Sequence, residues 1–393
     1  MEHMASHGTS GRIVIDIEPD LKRRLYSTLS LNGSTLKEWF LKSAEQLCEE
    51  QIGMGVRREV RYEAPKKASR AVVREEMPAG PASSRQTSDG KFKLVSMFSG
   101  CGGMDLGFVG GFELFGRRYK SLPFEVTWAN DLNREACKTY ERNLGHKSRP
   151  GDAWTLMDDM PKEADVLVGG FPCQDISVNG KRTGVNGERS GLYKAMVEAV
   201  GRIRPKVFVA ENVKALLKQP EWLEQVLKDF RALGYTLHYQ LYRAADYGVP
   251  QSRERLMIVG TAPGVREFTP PKPERNASSW MTAKEAIGDL ENVEQSPHIN
   301  HIWSLASKSP EQGNRRLIAD RPGYTIRAEC HGNIQFHYRL PRRISMREAA
   351  RIQSFPDKFI FMSGLREIER QVGNAVPPVL AWHMANAVLE CLR

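Results

Sequence analysis

The stretch DVLVGGFPCQDIS, residues 165–177, predicts a reactive cysteine at the carboxyl end of a buried strand. Its first four residues form a short, mainly apolar run that ends in two glycines, as is typical of a parallel strand that delivers a reactive group at its edge. Pro172 fixes the backbone directly before Cys173, so the thiol should be held in place. Because an isolated free cysteine most often packs in a core, the nucleophile hypothesis for Cys173 depends on the rest of the chain.

The composition predicts an intracellular globular protein of two or three domains. The chain has 393 residues, of which 40% are hydrophobic and 26% charged, which suits a protein with a sizeable buried core. No apolar run approaches the roughly 18 residues that a membrane helix needs. The N-terminus also lacks the basic and apolar regions of a secretory signal. We therefore expect no membrane association.

The net charge indicates the class of partner, and the cysteines indicate the redox compartment. The formal net charge of +10 favours a polyanion such as nucleic acid. The six cysteines include no C-x-x-C pair, which indicates a reducing compartment rather than a disulfide framework. Several histidines lie in the region of Cys330, but their spacing matches no common zinc pattern. We expect no metal site.

Residues 11–52 are predicted to form a small unit of one strand and two helices. Isoleucine at every second position from 13 to 17 indicates a half-buried strand. About 40 residues cannot close a core alone, so this unit is expected to dimerise. Its pattern resembles the ribbon-helix-helix DNA-binding fold, which would bring Arg12 and Val14 on the outward strand face to DNA. Asp16 on the same face suits phosphate poorly, so a plain dimerisation module stays open as an alternative. Residues 53–90, rich in charged residues, Pro, Ala and Ser, predict a flexible linker.

From residue 91 onward, predicted strands and helices alternate, which favours an α/β fold. A strand from Phe92 runs into the turn FSGCGG, residues 98–103, whose glycines would admit a ligand close to the backbone. The next strand ends at Asp131, where such folds place a carboxylate for ribose hydroxyls. A nicotinamide dinucleotide is an alternative ligand, but the turn departs from G-x-G-x-x-G.

A further predicted strand ends at Ala210 and leads directly to Glu211. The carboxyl ends of parallel strands share one edge of a sheet, so Glu211 and Cys173 should face one crevice. Such a carboxylate is suited to acid or base catalysis. A helix cap or a surface ion pair would also explain Glu211 by position alone.

Taken together, the segments resemble the cytosine-C5 DNA methyltransferases, in the order of that family's motifs. No single segment is specific, but the ordered set is. The matching segments are FSGCGG (98–103), Asp131, Asp152, GFPCQ (170–174), RSGL (189–192), ENV (211–213), QSRER (251–255), REAARIQSFPD (347–357) and QVGNAVPP (371–378).

The resemblance implies a Rossmann-like sheet that binds S-adenosylmethionine, with a smaller target-recognition domain. The catalytic domain would comprise residues 91–275 and 371–393, and the target-recognition domain residues 276–370. The residues implied to bind the methyl donor are Phe98, Ser99, Gly100, Cys101, Gly102, Gly103, Asp131, Leu132, Asp152, Ala153, Pro172, Leu192, Asn374 and Ala375.

The resemblance also implies the chemistry. The Cys173 thiolate would add to C6 of a cytosine, Glu211 would protonate N3, and Arg255, supported by Arg253, would hold the cytosine O2. The base must leave the duplex stack, and the loop from Gln174 to Arg189 would close over it. The residues implied to contact DNA are Gln174, Ser177, Arg189, Gln251 and Arg327.

The resemblance predicts a prokaryotic, cytoplasmic enzyme, associated with the nucleoid, that acts on double-stranded DNA in a restriction-modification system. A cognate restriction endonuclease, a homodimer through the N-terminal unit and repression of its own operon would follow. An RNA methyltransferase of the tRNA type and a repressor with an inactive methyltransferase unit are the alternatives.

Overall fold

The computed structural model describes residues 90–172, 191–305, 315–328 and 335–393, together with the single residue Ser43. The chain divides into two units, Met1–Pro78 and Ala79–Arg393, and the four described ranges belong to the second. The predictions for the N-terminal unit and for all but the end of the linker lie outside the described residues. The same holds for Cys173, Gln174, Ser177 and Arg189.

Strands occur close to the predicted positions. In chain order they are β1 (Phe92–Met97), β2 (Phe112–Leu114), β3 (Arg117–Tyr119), β4 (Phe124–Asp131), β5 (Ser148–Pro150), β6 (Val166–Gly170), β7 (Val207–Val213), β8 (Thr236–Arg243) and β9 (Glu254–Thr261). The sequence predicts that the strand before Glu211 ends at Ala210. The strand continues to Val213 because β9 pairs with β7 along its whole length, which places Glu211 inside the ladder.

Seven of these strands form one mixed sheet in the order β5-β4-β1-β6-β7-β9-β8. Pairing is parallel from β5 to β7, whereas β9 runs antiparallel to both β7 and β8. The chain leaves β1 toward β4 on one side and later returns to β6 on the other. The carboxyl ends of the strands flanking β1 therefore bound a crevice of the kind that binds ligands in open α/β sheets. The predicted α/β fold class is confirmed.

Helices cover both faces of the sheet. In chain order the α-helices are α1 (Gly103–Val109), α2 (Arg134–Leu144), α3 (Gly191–Ile203), α4 (Pro220–Ala232), α5 (Ala283–Ile287), α6 (Met346–Ile352), α7 (Leu365–Asn374) and α8 (Pro378–Leu392). Short 3₁₀ helices occur at Met157–Asp159, Lys214–Lys218, Ala244–Tyr247, Gly288–Leu290 and Pro297–Ile299. No helix within the described ranges is both long and apolar enough to cross a membrane.

The sheet separates two hydrophobic clusters. Along β6, Val166 and Val168 point into the cluster that includes α1 and α8, whereas Leu167 points into the cluster that includes α3 and α4. This alternation follows from the two-residue period of a strand. Burial on both faces explains why the strand reads as one continuous apolar run in the sequence.

The C-terminal part consists of two helices in succession. QVGN (371–374) forms the end of α7. Most residues of the last helix, α8, are buried. A Cβ atom at Gly107 would lie 2.4 Å from the Cβ of Ala381 and 2.6 Å from the Pro378 carbonyl oxygen. This glycine therefore lets α1 pack directly against α8, which buries α8 between its neighbours.

Candidate active site

Glu211 and Arg255 meet at the carboxyl edge of the sheet. Antiparallel pairing of β7 with β9 sets Val213 opposite Arg255, two residues from Glu211. The Arg255 Nε lies 2.7 Å from Glu211 Oε1, and the two side chains are 11% and 10% exposed. Burial raises the pKa of Glu211 above its ordinary value, while the guanidinium groups of Arg255 and Arg253 act in the opposite direction. The structure thus brings two of the predicted catalytic residues together.

The strand that leads to the nucleophile loop passes beside Glu211. Gly170 is paired with Glu211 across β6 and β7. A Cβ atom at Gly170 would lie 2.9 Å from Glu211 Oε2, so a larger residue would crowd the carboxylate. The next residue but one, Pro172, is half-buried and is the last described residue before Cys173.

Asn212 is a site residue that the sequence reasoning missed. Its side-chain Nδ2 donates a hydrogen bond to the Phe171 carbonyl oxygen at 3.1 Å, and Asn212 is 2% exposed. This bond fixes the backbone two residues before Cys173. The signal lay in the position of Asn212, directly after the carboxylate of Glu211, because an amide side chain at a strand end can satisfy a neighbouring loop.

Arg253 does not reach the crevice. It is 1% exposed, and its two terminal nitrogens donate to the carbonyl oxygens of Ile326 (3.0 Å), Gly373 (2.9 Å) and Ala375 (3.0 Å). Burial lowers the pKa of this guanidinium well below its ordinary value, and the nearby Arg255 adds to the effect. The implied support of Arg255 by Arg253 is therefore structural, since the described geometry leaves Arg253 no open path to a base.

The turn after β1 has the strained backbone of a ligand-binding loop. Phe98, Gly100 and Gly102 have φ angles of 53°, 55° and 92°, in the left-handed region that disfavours ordinary side chains. Phe98 is half-buried, and apart from the chain neighbours of Gly100 no atom of the described residues lies within 4 Å of where a Cβ at Gly100 would be. Gly100 thus opens toward free space, as a loop that admits a ligand requires.

Asp131 organises this turn. Its Oδ2 accepts the Gly100 amide at 2.8 Å, and its Oδ1 accepts the Asn133 amide at 2.8 Å. Burial raises the pKa of Asp131, and these two backbone hydrogen bonds oppose the rise. Each carboxylate oxygen keeps a further lone pair, so ribose hydroxyls could still be bound. The neighbouring Leu132 is 71% exposed and offers an apolar surface beside them.

Of the other residues predicted to bind the methyl donor, some are half-buried or exposed and one is buried. Half-buried or exposed positions are Ser99, Asp152, Pro172, Leu192, Asn374 and Ala375. Ser99 donates to the Asn130 carbonyl oxygen at 3.1 Å, and Asp152 accepts the Trp154 amide at 2.8 Å. Ala153, by contrast, is 2% exposed.

Three residues of the FSGCGG turn pack inward, contrary to their predicted role of lining the donor. Cys101 is 1% exposed and burial raises the pKa of its thiol. A Cβ at Gly102 would lie 2.5 Å from Leu144 Cδ1, and one at Gly103 would lie 2.4 Å from the Val376 carbonyl oxygen. These small residues therefore allow close packing of α1 rather than close approach of a ligand.

Of the predicted DNA contacts, only Gln251 and Arg327 fall within the described residues. Arg327 is exposed. Gln251 is 0% exposed, and its side-chain amide bonds to Ile326, Ile352 and Gln353. A side chain without exposed surface does not contact DNA in this conformation, so the prediction for Gln251 conflicts with its position. Gln353, a partner missed in the sequence, is also 0% exposed.

The open positions fit S-adenosylmethionine. Asp131 has carboxylate lone pairs available for hydroxyl groups, Leu132 offers an apolar face, and Gly100 leaves space against the backbone. Across the described part of the chain, no group of three or more His, Cys, Asp or Glu side chains is arranged to hold a metal ion.

Comparisons with known proteins identify the family of this chain. The sequence matches the profile of the C-5 cytosine-specific DNA methylases over residues 92–322 and 306–390. It is 35% identical to the Type II methyltransferase M.NgoFVII of Neisseria gonorrhoeae, over 78% of this chain and 89% of that protein. It is 31% identical to the Type II methyltransferase M.FnuDI of Fusobacterium nucleatum, over 76% of this chain and 95% of that protein.

A solved structure shares the fold. The Dnmt2 methyltransferase of S. pombe superposes with a TM-score of 0.59 at 17% identity, covering 77% of this chain and all of that one (100%). The chain belongs to the C-5 cytosine-specific DNA methylase family, whose members are enzymes that use S-adenosylmethionine as the methyl donor.

Proposed function

We propose that this protein methylates C5 of a flipped cytosine in a specific duplex DNA sequence, through a covalent bond between Cys173 and C6, within a restriction-modification system. The observation that supports this most directly is the buried pair of Glu211 and Arg255, 2.7 Å apart. This pair adjoins Gly170, three residues before Cys173. The likeness to Type II methyltransferases supports the restriction-modification role.

Cys173 and Glu211 would activate the ring together. Cytosine C5 is a poor nucleophile, so a lone pair of the Cys173 thiolate forms a bond to C6 and pushes electrons through the ring toward N3. Glu211, whose pKa burial raises, would deliver a proton to N3. When bound, S-adenosylmethionine supplies an electrophilic methyl group for C5. Loss of the C5 proton to water then forms the C5–C6 double bond as the C6–S bond breaks to release the thiolate, and N3 returns its proton to Glu211.

Arg255 would orient the base. Its Nε is bound to Glu211, and its Nη1 donates to the Glu254 carbonyl oxygen at 2.7 Å. The remaining N–H groups of the planar guanidinium can bind the cytosine O2. A lysine at this position would offer a single charged nitrogen and could not keep Glu211 and O2 in one plane.

The test of this function is Cys173→Ala. We expect complete loss of methyl transfer, with duplex binding within about tenfold of wild type because phosphate contacts remain. Bisulfite sequencing of DNA from cells that express each protein measures activity and reveals the target sequence. Cys391→Ala, a buried cysteine at the end of α8, is the matched control and should keep activity.

Two results would contradict the proposal. One is methylation that survives Cys173→Ala. The other is transfer to tRNA but not to DNA by the wild type, which would favour the RNA alternative. A covalent adduct of the wild type with DNA that contains 5-fluorocytosine, absent in Cys173→Ala, would trap the intermediate, since fluorine cannot leave as the C5 proton does.

We further propose that residues 11–52 dimerise and bind an operator upstream of the protein's own gene, independently of methylation. The independence from methylation is supported by the position of β1, which begins at Phe92 and is paired from its first residue. Deleting residues 1–90 should leave the methylated sequence unchanged but abolish dimerisation in sedimentation experiments. The deletion should also remove the footprint of the full chain on the upstream region. A full-length dimer without such a footprint at about 150 mM salt would show plain dimerisation.

A further inference from the structure

Three buried polar side chains connect parts of the chain that are far apart in sequence. Gln251 and Gln353 are 0% exposed and Arg253 is 1% exposed. We call these three residues the junction. The family chemistry described above uses none of their side chains in direct contact with a base or donor.

On one side, the junction holds residues 323–328, here called the recognition segment because exposed Arg327 lies in it. Gln251 Oε1 accepts the Ile326 amide at 3.1 Å, and Arg253 Nη1 donates to the Ile326 carbonyl oxygen at 3.0 Å. The junction thus binds both the amide and the carbonyl group of Ile326. The backbone of Gly323 also pairs with Gln251. The recognition segment therefore has little freedom to move relative to β9.

On the other side, the junction holds the end of α7. Arg253 Nη2 donates to the carbonyl oxygens of Gly373 (2.9 Å) and Ala375 (3.0 Å). Gln353 Nε2 donates to the same Ala375 oxygen at 2.5 Å. Gln251 Nε2 is bound to Gln353 Oε1, which closes the network.

The end of α7 in turn contacts both the recognition segment and the FSGCGG turn. A Cβ at Gly373 would lie 2.4 Å from the carbonyl carbon of Arg327. A Cβ at Gly103 would lie 2.4 Å from the Val376 carbonyl oxygen and 3.2 Å from Ala375 Cβ. Because the backbone segments are in direct contact, a displacement of one segment is transmitted to the next.

We propose that Gln251, Arg253 and Gln353 are positioning residues that couple binding of the target duplex to binding of the methyl donor. The inference rests on the proposed function, since it needs a duplex at Arg327 and a donor at the FSGCGG turn. Each ligand favours one arrangement of the same junction. Each therefore tightens binding of the other, and by thermodynamic linkage the two factors are equal.

Gln353→Leu is the variant that tests the coupling with the least disturbance of the fold. It keeps the side-chain volume, and every former partner retains a second bond: Ala375 to Arg253, and Gln251 to Ile352. The fold should therefore survive while one connection is lost. Tyr235→Phe is the matched control, because it also removes one buried bond to a carbonyl oxygen, that of Pro205, on a remote edge of the sheet.

The measurement is the dissociation constant of S-adenosylhomocysteine with and without a saturating duplex of the methylated sequence, by titration calorimetry. The ratio is the coupling factor, on the order of 5 to 150 where two sites are coupled. We expect Gln353→Leu to lower this factor at least about threefold, with affinity in the absence of DNA within about twofold of wild type. Tyr235→Phe should keep the wild-type factor. Arg253→Lys, which keeps the charge but not the three-way geometry, should lower it further.

A second readout is hydrogen exchange in a peptide that covers residues 321–328. S-adenosylhomocysteine should slow exchange there in the wild type and not in Gln353→Leu. An unchanged coupling factor in both junction variants, or a wild-type factor of one, would overturn the inference while methylation by the wild type leaves the proposed function standing. A wild type that methylates no DNA would overturn both.

Discussion

Glu211 with Arg255 at the carboxyl edge of the sheet, and Arg347 in the predicted recognition region, residues 276–370, are buried charged side chains with different kinds of partner. At the sheet edge, Glu211 and Arg255 face each other as opposite charges 2.7 Å apart. In the recognition region, Arg347 is 1% exposed and faces backbone instead. Its nitrogens donate to the carbonyl oxygens of Ile299 (2.8 Å), Pro356 (3.1 Å) and Phe359 (2.8 Å).

The difference follows from how each region satisfies its backbone. In the sheet, β7 lies between β6 and β9, so its peptide groups are paired and its side chains are free for chemistry. The recognition region has short helices and isolated bridges among its described residues. Buried carbonyl groups there need side-chain donors, and arginine supplies several in fixed geometry. Its buried arginines are therefore structural, and exposed ones such as Arg327 are the candidates for DNA contact.

The sharpest way to break this comparison is Glu211→Gln, which should affect chemistry more than folding. The amide keeps the shape and one hydrogen bond to Arg255 but cannot deliver a proton to N3. We expect turnover to fall by about 10² to 10⁴, with affinity for S-adenosylmethionine within about threefold of wild type. Single-turnover kinetics and calorimetry measure the two quantities.

Glu254→Gln is the matched control for that variant. This neighbouring carboxylate pairs with Lys214 and Arg243, away from Glu211. Its loss should change turnover by less than about threefold, as an exposed ion pair contributes little. If Glu211→Gln instead weakened only donor affinity, Glu211 would belong to the donor site and its catalytic role would be refuted.

Arg347→Met, in contrast to Glu211→Gln, should affect folding more than chemistry. The apolar side chain preserves packing but removes the Arg347 donors from the carbonyl oxygens of Ile299 and Phe359, whereas Pro356 keeps the Phe359 amide. This loss should lower the free energy of unfolding by about 3 to 5 kcal/mol. Urea denaturation measures this change. The exposed Arg339, paired with Glu291, is the control, and Arg339→Met should cost less than about 1 kcal/mol. A loss below about 1 kcal/mol in Arg347→Met would contradict the structural role.

Asp105 extends the comparison to the sheet domain, since it is a buried carboxyl group that has no cationic partner among the described residues. It is 0% exposed and accepts hydrogen bonds from Ser96 (3.0 Å) and Tyr140 (2.9 Å). Burial raises its pKa from the ordinary 3.8 to about 6. Folding therefore takes up a proton between about pH 4 and pH 6, so the contribution of Asp105 to stability grows as the pH falls through this window.

Asp105→Asn removes that titration. Relative to wild type, the variant should gain at most about 3 kcal/mol of unfolding free energy between pH 4 and pH 7, because the wild type must then bury a charge. Thermal or urea denaturation across this range measures the difference. Ser96→Ala keeps the carboxyl group and should keep the pH dependence. A difference between Asp105→Asn and wild type that does not change with pH would show that the carboxyl group stays ionised throughout.

The sequence by itself determined the strands, the order of the motifs and which candidate catalytic residues stand at the strand ends. Apolar runs ending in Gly169 or Glu211 are local signals, because burial on both sheet faces requires continuous hydrophobic residues. The expectation that Glu211 and Cys173 share one edge followed from the rule that parallel strands end together. A motif match could also name Arg255 as a candidate without any coordinates.

The tertiary structure alone decided which residues of each motif face the crevice. In QSRER, Arg255 lies on Glu211, whereas Gln251 and Arg253 turn inward to backbone groups of residues 326, 373 and 375. In FSGCGG, Gly100 opens to space while Cys101 packs against Gln371. The partners that decide these orientations lie from about 70 to 270 positions away in the chain. Local periodicity carries no information on such contacts, because they arise only when the sheet, the recognition segment and the C-terminal helices have packed together.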